Sequence, residues 1–186
     1  MIVQKTARIR RDQTCVLVVD LQEKLLPAIF ERQRVIESTR RLVAGAVILQ
    51  VPVLATEQYR KGLGGTTAEI ANAIQDFAPM DKVAFSACGA PGFGEALRAK
   101  NVSSVVICGI EAHVCVLQTG LDLLDKGFDV FVVADAVSSR TFENWQLGLQ
   151  RMRDAGAIIV STEMVLFELL EKAGGEQFKK IIELIK

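Results

Sequence analysis

The sequence predicts a three-layer α/β/α sandwich around a mostly parallel central sheet, and two patterns carry that prediction. Short runs rich in Val and Ile recur along the chain, and their hydrophobicity is continuous rather than alternating. Such runs suit strands covered on both faces, the usual condition of a parallel sheet. Longer stretches with helical periodicity lie between them, and strands alternating with helices build right-handed βαβ units. The length of 186 residues allows one domain, spanning residues 1–186, with a sizeable core and hardly a second.

In chain order, strands are expected at Cys15–Val19, Val51–Ala55, Val105–Cys108, Val130–Val133 and Ile158–Val160, with a further short one near Lys82–Phe85. Crossover helices are expected at Arg34–Gln50, Gly92–Lys100, Val114–Lys126 and Phe142–Ala155. Val51-Pro52 marks a turn, and Lys126-Gly127 and Ala155-Gly156 are natural helix stops. The apolar C-terminal pattern FKKIIELIK leaves two placements open, docking on its own domain or an oligomer contact. The chain shows no internal repeat, linker or low-complexity tract.

Composition narrows the function. Hydrophobic residues make up 50% and charged residues 24%, as in an ordinary globular protein rather than a disordered one. Lys+Arg and Asp+Glu number 22 each, so no basic balance points to nucleic acid. No run of like charges points to a membrane surface. The N-terminal stretch MIVQKTARIRRDQT has charges with no apolar region behind them, which argues against a signal peptide. No apolar stretch reaches the length of a bilayer span, and a cytoplasmic location is expected. Cys15 and Cys108 lie inside strand-like runs; with Cys88 and Cys115 they read as free thiols of a reducing compartment. There is no C-x-x-C pair and His113 is the one histidine, so no structural zinc site is expected.

Three residues point to chemistry. Cys115 stands where an apolar strand passes through Gly109 into a helical pattern. A thiol at a helix N-terminus meets unpaired N–H groups and a positive dipole end, which favour thiolate. Asp20 directly follows the first strand, CVLVVD, and so falls at the carboxyl edge of the sheet. Lys82 opens the segment KVAFSA after the turn-like Ala78-Pro79-Met80-Asp81. Singly, each has a plainer reading: a small buried helix residue, a capping acid, a surface lysine. Together they can form a hydrolytic triad on one sheet edge. The glycine-rich segment 56–67, TEQYRKGLGGTT, starts at the same edge but lacks the ending of a phosphate-binding loop. GAPGFG (Gly89–Gly94) likewise fails as a dinucleotide fingerprint, so segment 56–67 is read as a loop over a small-molecule pocket.

The residues also carry a resemblance. V-V-D-L-Q (Val18–Gln22), T-E-Q-Y (Thr56–Tyr59), K-G-L-G (Lys61–Gly64), G-I-E-A-H-V-C-V-L-Q-T (Gly109–Thr119), V-V-A-D-A-V-S-S-R (Val132–Arg140) and S-T-E-M-V-L-F-E-L (Ser161–Leu169) resemble the isochorismatase-like cysteine hydrolases. That superfamily includes nicotinamidases and N-carbamoylsarcosine amidohydrolase, and the phrases are most similar to its isochorismatase domain-containing branch. The resemblance covers nearly the whole domain and implies the isochorismatase-like hydrolase fold. It implies that the Asp-Lys-Cys triad falls on Asp20, Lys82 and Cys115. It further implies a non-proline cis peptide at Ile110–Glu111 that sets the Glu111 N–H beside the Cys115 N–H as an oxyanion hole. Gln22, Glu57, Gln58 and Tyr59 become candidate substrate-binding residues.

The function implied is cysteine-dependent hydrolysis of a small-molecule amide or related C–N bond. Asp20 accepts the thiol proton, Cys115 attacks, Lys82 holds Asp20 and stabilises developing charge, and water clears a thioester. No cofactor is expected, and a homo-oligomer is. The nicotinamidases hold a metal through an acid and histidines; with His113 alone that cluster cannot form here, and no required metal is expected. His113 and Trp145 read as packing or subunit-contact residues. Arg60 stands where the closer branch is expected to carry proline, which puts a flexible cation in the loop. Three other readings stay open: vinyl-ether hydrolysis of an isochorismate-like acid by Asp20 alone, a catalytically silent binding or scaffold protein, and a redox-sensing thiol.

Overall fold

Six strands, every neighbouring pair parallel, form one sheet in the order β3-β2-β1-β4-β5-β6 in a computed structural model that describes residues 7–186. The first six residues of the N-terminal stretch read above for a signal peptide lie outside the described residues. The strands are β1 (Thr14–Val19), β2 (Val53–Gln58), β3 (Met80–Lys82), β4 (Ser104–Ile110), β5 (Asp129–Ser138) and β6 (Ile158–Val160). The helices are α1 (Arg32–Ile48), the single turns α2 (Arg60–Leu63) and α3 (Ala68–Ala71), α4 (Phe93–Ala99), α5 (Leu117–Asp125), α6 (Phe142–Asp154), α7 (Thr162–Leu170) and α8 (Gly175–Ile185).

The continuous hydrophobicity of the runs is explained by two separate cores. Every residue of β1 and of β4 is buried. Because strand side chains alternate, Val16 and Val18 enter one core while Cys15, Leu17 and Val19 enter the other. The first core is closed by Leu42 and Ala46 of α1, Leu166 and Leu169 of α7, and Ile181 of α8. The second is closed by Phe93 and Leu97 of α4, Leu123 of α5, and Leu149 and Met152 of α6. The C-terminal pattern therefore docks on its own domain, with Ile181 fully buried.

The expected strands shift in instructive ways. β2 begins after Pro52, which has no N–H to give a ladder, although its carbonyl accepts from Val16 N at 2.9 Å. The strand expected at Lys82–Phe85 instead ends at Lys82. Beyond it the chain leaves the sheet, exposing Val83 and Phe85, because the carbonyls of Ala84 and Phe85 turn onto the Lys82 ammonium. β5 runs on to Ser138, past the apolar stretch, by pairing with the end of β4 across a register shift. Thr141 and Ser161 cap α6 and α7, their hydroxyls accepting from Asn144 N and Met164 N. Among the described residues no helix is long and apolar enough to cross a membrane.

Candidate active site

Strand order decides where a site can form. The chain runs outward from β1 through β2 to β3, then returns to place β4 on the other side of β1. Connections after β1 and β4 therefore diverge to opposite sides, opening a crevice at their carboxyl ends where such sheets bind ligands. Asp20 follows β1, Lys82 ends β3, and Cys115 lies in the π-helical turn Ala112–Val116 that joins β4 to α5. The structure thus gathers the three residues on one edge. Gly109 makes the close approach of β1 and β4 possible: its φ is +113°, and a Cβ there would sit 2.0 Å from Val19 O.

The core of the site is an ion pair shut away from water. Lys82 Nζ donates to Asp20 Oδ2 at 2.7 Å, and neither side chain has any exposed surface. Thr56 Oγ1 donates to the other carboxylate oxygen, Oδ1, at 2.8 Å. Thr56 was not singled out in the sequence; the available signal is its register opposite Val19, which puts it beside the next residue, Asp20. Burial holds the Asp20 carboxyl above the ordinary carboxylate range, while Lys82, Thr56 and Cys115 pull it back down.

Cys115 faces this carboxylate, and each group shifts the other's ionisation. Here the expectation of a helix-stabilised thiolate is corrected. Burial first, and then the Asp20 charge, push the thiol up to about 12, with Lys82 opposing. Desolvation and a neighbouring anion outweigh the helix terminus and favour the neutral thiol beside the Asp20 carboxyl. The Ile110–Glu111 peptide just before the turn is cis.

The loop residues make the following contacts within the chain. Gln22 is fully buried and spends its amide on main chain: Nε2 donates to Gln58 O and Gly64 O, and Oε1 accepts from Gln58 N. Glu57 is also buried, and its Oε1 accepts from both N and Oγ1 of Thr66, at 2.7 and 2.8 Å. Its Oε2 lies 3.3 Å from Arg60 Nε, a charge contact without hydrogen-bond geometry. Lys24 Nζ and Glu23 N reach the carbonyls of Gly62 and Gly65, so segment 59–67 is fastened from beneath. Gln58 turns its amide oxygen to Lys82. Of the four expected ligand contacts, Tyr59 alone keeps a largely exposed side chain.

On the β5 side, Arg140 pairs with Glu111 at 2.8 Å, and His113 Nδ1 shares a 2.9 Å hydrogen bond with buried Ser139. Burial lowers the affinity of His113 for a proton. Trp145 packs between Phe142 and the guanidinium of Arg34.

A parallel sheet in this order, with an acid after β1, a lysine closing β3 and a cysteine opening the helix after β4, defines the class as an isochorismatase-like α/β hydrolase fold. The chain belongs to the isochorismatase family: the isochorismatase domain matches residues 14–164. It is 43% identical to the secreted isochorismatase effector Isc1 of Phytophthora sojae, over 98% of this chain and 89% of that protein. It is 38% identical to isochorismatase domain-containing protein 2A of Mus musculus, over 96% and 85% of the two chains. Among solved structures, the MAR1 ribonuclease from Caenorhabditis elegans superimposes with a TM-score of 0.91 at 40% identity, over 96% of this chain and 92% of that one.

Proposed function

We propose that the protein hydrolyses a small-molecule amide or related C–N bond through a thioester on Cys115. The observation that carries this reading is a fully buried Asp20–Lys82 pair beside a thiol at the switch point of the sheet. A buried ion pair is weak evidence for stability alone, because desolvating both charges is costly. Next to a nucleophile it has a chemical use: the ammonium keeps a carboxylate ionised inside protein, and burial makes that carboxylate more basic than one in water.

The steps follow from the protonation state at rest. As Cys115 Sγ bonds to the carbonyl carbon, its proton passes to Asp20 and the C=O electron pair moves to oxygen. The backbone N–H groups of Glu111 and Cys115 are the proposed donors to that oxyanion. Collapse breaks the C–N bond, and the amine leaves with the proton from Asp20. Water, giving its proton to Asp20, then adds to the thioester; the acid departs and the proton returns to sulfur. Because the surroundings favour the neutral thiol, attack and proton transfer are coupled in this reading. The equal count of acidic and basic residues supports a small substrate over a polyanion such as RNA.

A panel of primary amides and carbamoyl compounds tests the proposal, with amine release and the mass of the Cys115 peptide followed together. The expected result is an acyl adduct on Cys115 that Cys115→Ala cannot form. Turnover in Cys115→Ala comparable with that of the unmodified protein would overturn it.

A further inference from the structure

We propose that Gln58 is the positioning residue for Lys82, a role that rests on the Asp20–Cys115 reading above. The Lys82 ammonium has three protons and four acceptors within reach: Asp20 Oδ2 at 2.7 Å, Gln58 Oε1 at 2.7 Å, Phe85 O at 2.9 Å and Ala84 O at 3.3 Å. The three shorter contacts occupy all three protons, and the side chain is wholly buried. An ammonium in that state has no proton left for a substrate oxygen. It acts through its field, on Asp20 and on Cys115.

Gln58 decides how that field is shared. Its N–H donates to Gln22 Oε1, its carbonyl accepts from Gln22 Nε2, and its own Nε2 donates to Val83 O at 2.8 Å. With Nε2 committed to a carbonyl, the amide oxygen is the end that faces Lys82. One side chain therefore ties β2 to the segment after β3, whose carbonyls complete the ammonium's surroundings. The groups facing Lys82 are Asp20 from the end of β1, Cys115 from the turn opening α5, Gln58 of β2, and the carbonyls of Ala84 and Phe85. Glu57 aims its Oε1 at Thr66 instead, while Glu111 adds its charge at Cys115.

A neutral acceptor at this position has a definite consequence. A carboxylate in its place competes with Asp20 for the cation, so Asp20 holds a proton more tightly. An apolar side chain removes a competing acceptor from the cation, so more of its field falls on Asp20, which then gives up its proton more readily.

The test is the rate of Cys115 alkylation by iodoacetamide against pH, read by peptide mass spectrometry on the full chain, with circular dichroism to establish folding. In the unmodified protein the rate rises as Asp20 ionises and becomes able to take the thiol proton. Gln58→Glu is expected to move that midpoint up by about one pH unit, and Gln58→Met to move it down. Gln58→Asn, which withdraws a neutral amide by one methylene, is expected between the unmodified protein and Gln58→Met. A residue that only packs would shift the charged and apolar variants alike. Shifts of one sign, or none in the folded variants, overturn the proposal. Asp20→Asn separates the two levels of the argument. If it removes the rise while the Gln58 variants leave the midpoint in place, only the role of Gln58 falls. If a rise with the same midpoint survives Asp20→Asn, rather than one moved to the thiol's own ionisation, the base assignment falls and the role of Gln58 falls with it.

Discussion

Replacing Lys82 by methionine keeps most of the apolar stem and removes the charge, leaving the Asp20 carboxylate, which has no exposed surface, without a cation. Thr56 Oγ1 remains as a hydrogen-bond donor, but it carries no charge. Breaking one side of such a buried pair costs about 3–5 kcal/mol. For a domain of this size that corresponds to a fall in Tm of roughly 6–20 °C. The loss depends on pH in a determined direction. Burial already raises Asp20 above its ordinary value of 3.8, and Lys82 opposes that rise, so removing Lys82 raises it further. Between the unfolded and the raised folded value the folded chain binds more protons, and its stability falls as pH increases. The deficit of Lys82→Met is therefore larger at about pH 8 than at about pH 5, where Asp20 escapes by taking up a proton. Urea denaturation of Lys82→Met, Asp20→Asn and the double variant provides the assay, because the double variant carries neither charge and recovers much of the loss. Single losses that add to within about 0.5 kcal/mol would show that the two groups do not interact and would refute the reasoning.

Gly109→Ala brings a Cβ to 2.0 Å from Val19 O at a backbone φ of +113°, and a loss of about 3 kcal/mol or more is expected in urea. A stable, normally folded variant would mean that β1 and β4 can separate. Gly148→Ala puts a Cβ 2.8 Å from Ala112 O and so presses α6 against the turn that carries Cys115. Its expected mark is slower alkylation of Cys115 with helix content retained; an unchanged rate contradicts it. Cys15, Cys108 and Cys115 are each pushed from 9.0 up to about 12, chiefly by burial. The folded chain keeps protons there that the unfolded chain releases, so stability should fall as pH rises through that interval. Each thiol contributes on the order of 1.4 kcal/mol per pH unit, and Cys115→Ala should flatten the fall. A urea midpoint that does not move between about pH 8 and about pH 10.5 would count against that burial.

The layers of the fold were legible because continuous apolar runs and helical periods alternate along the chain, and both cores take the residues those patterns mark. What pattern alone placed badly were the ends of strands beside the site. β3 stops at Lys82 because the next carbonyls serve the ammonium, a three-dimensional constraint with no periodic signature. Asp20, Lys82 and Cys115 were visible as residues of the right kind at strand ends and a helix start. Their protonation was not, since it depends on burial and on a carboxylate supplied from another strand. Gln22, Glu57 and Gln58 stood close to the site in sequence, and polar side chains near a pocket suggest ligand contacts. Their partners turned out to be main-chain atoms, a hydroxyl and Lys82, which only coordinates reveal.

The fastening of segment 59–67 separates two jobs within one short stretch. Its anchors include the carbonyls of Gly62, Gly64 and Gly65 and the N–H groups of Tyr59, Arg60, Thr66 and Thr67, none of which depends on the side chains at Arg60, Lys61 or Leu63. Those three positions can accept new charge or bulk while the ribbon that carries them stays moored, so the outer face of this stretch can vary without loosening its hold on the sheet edge.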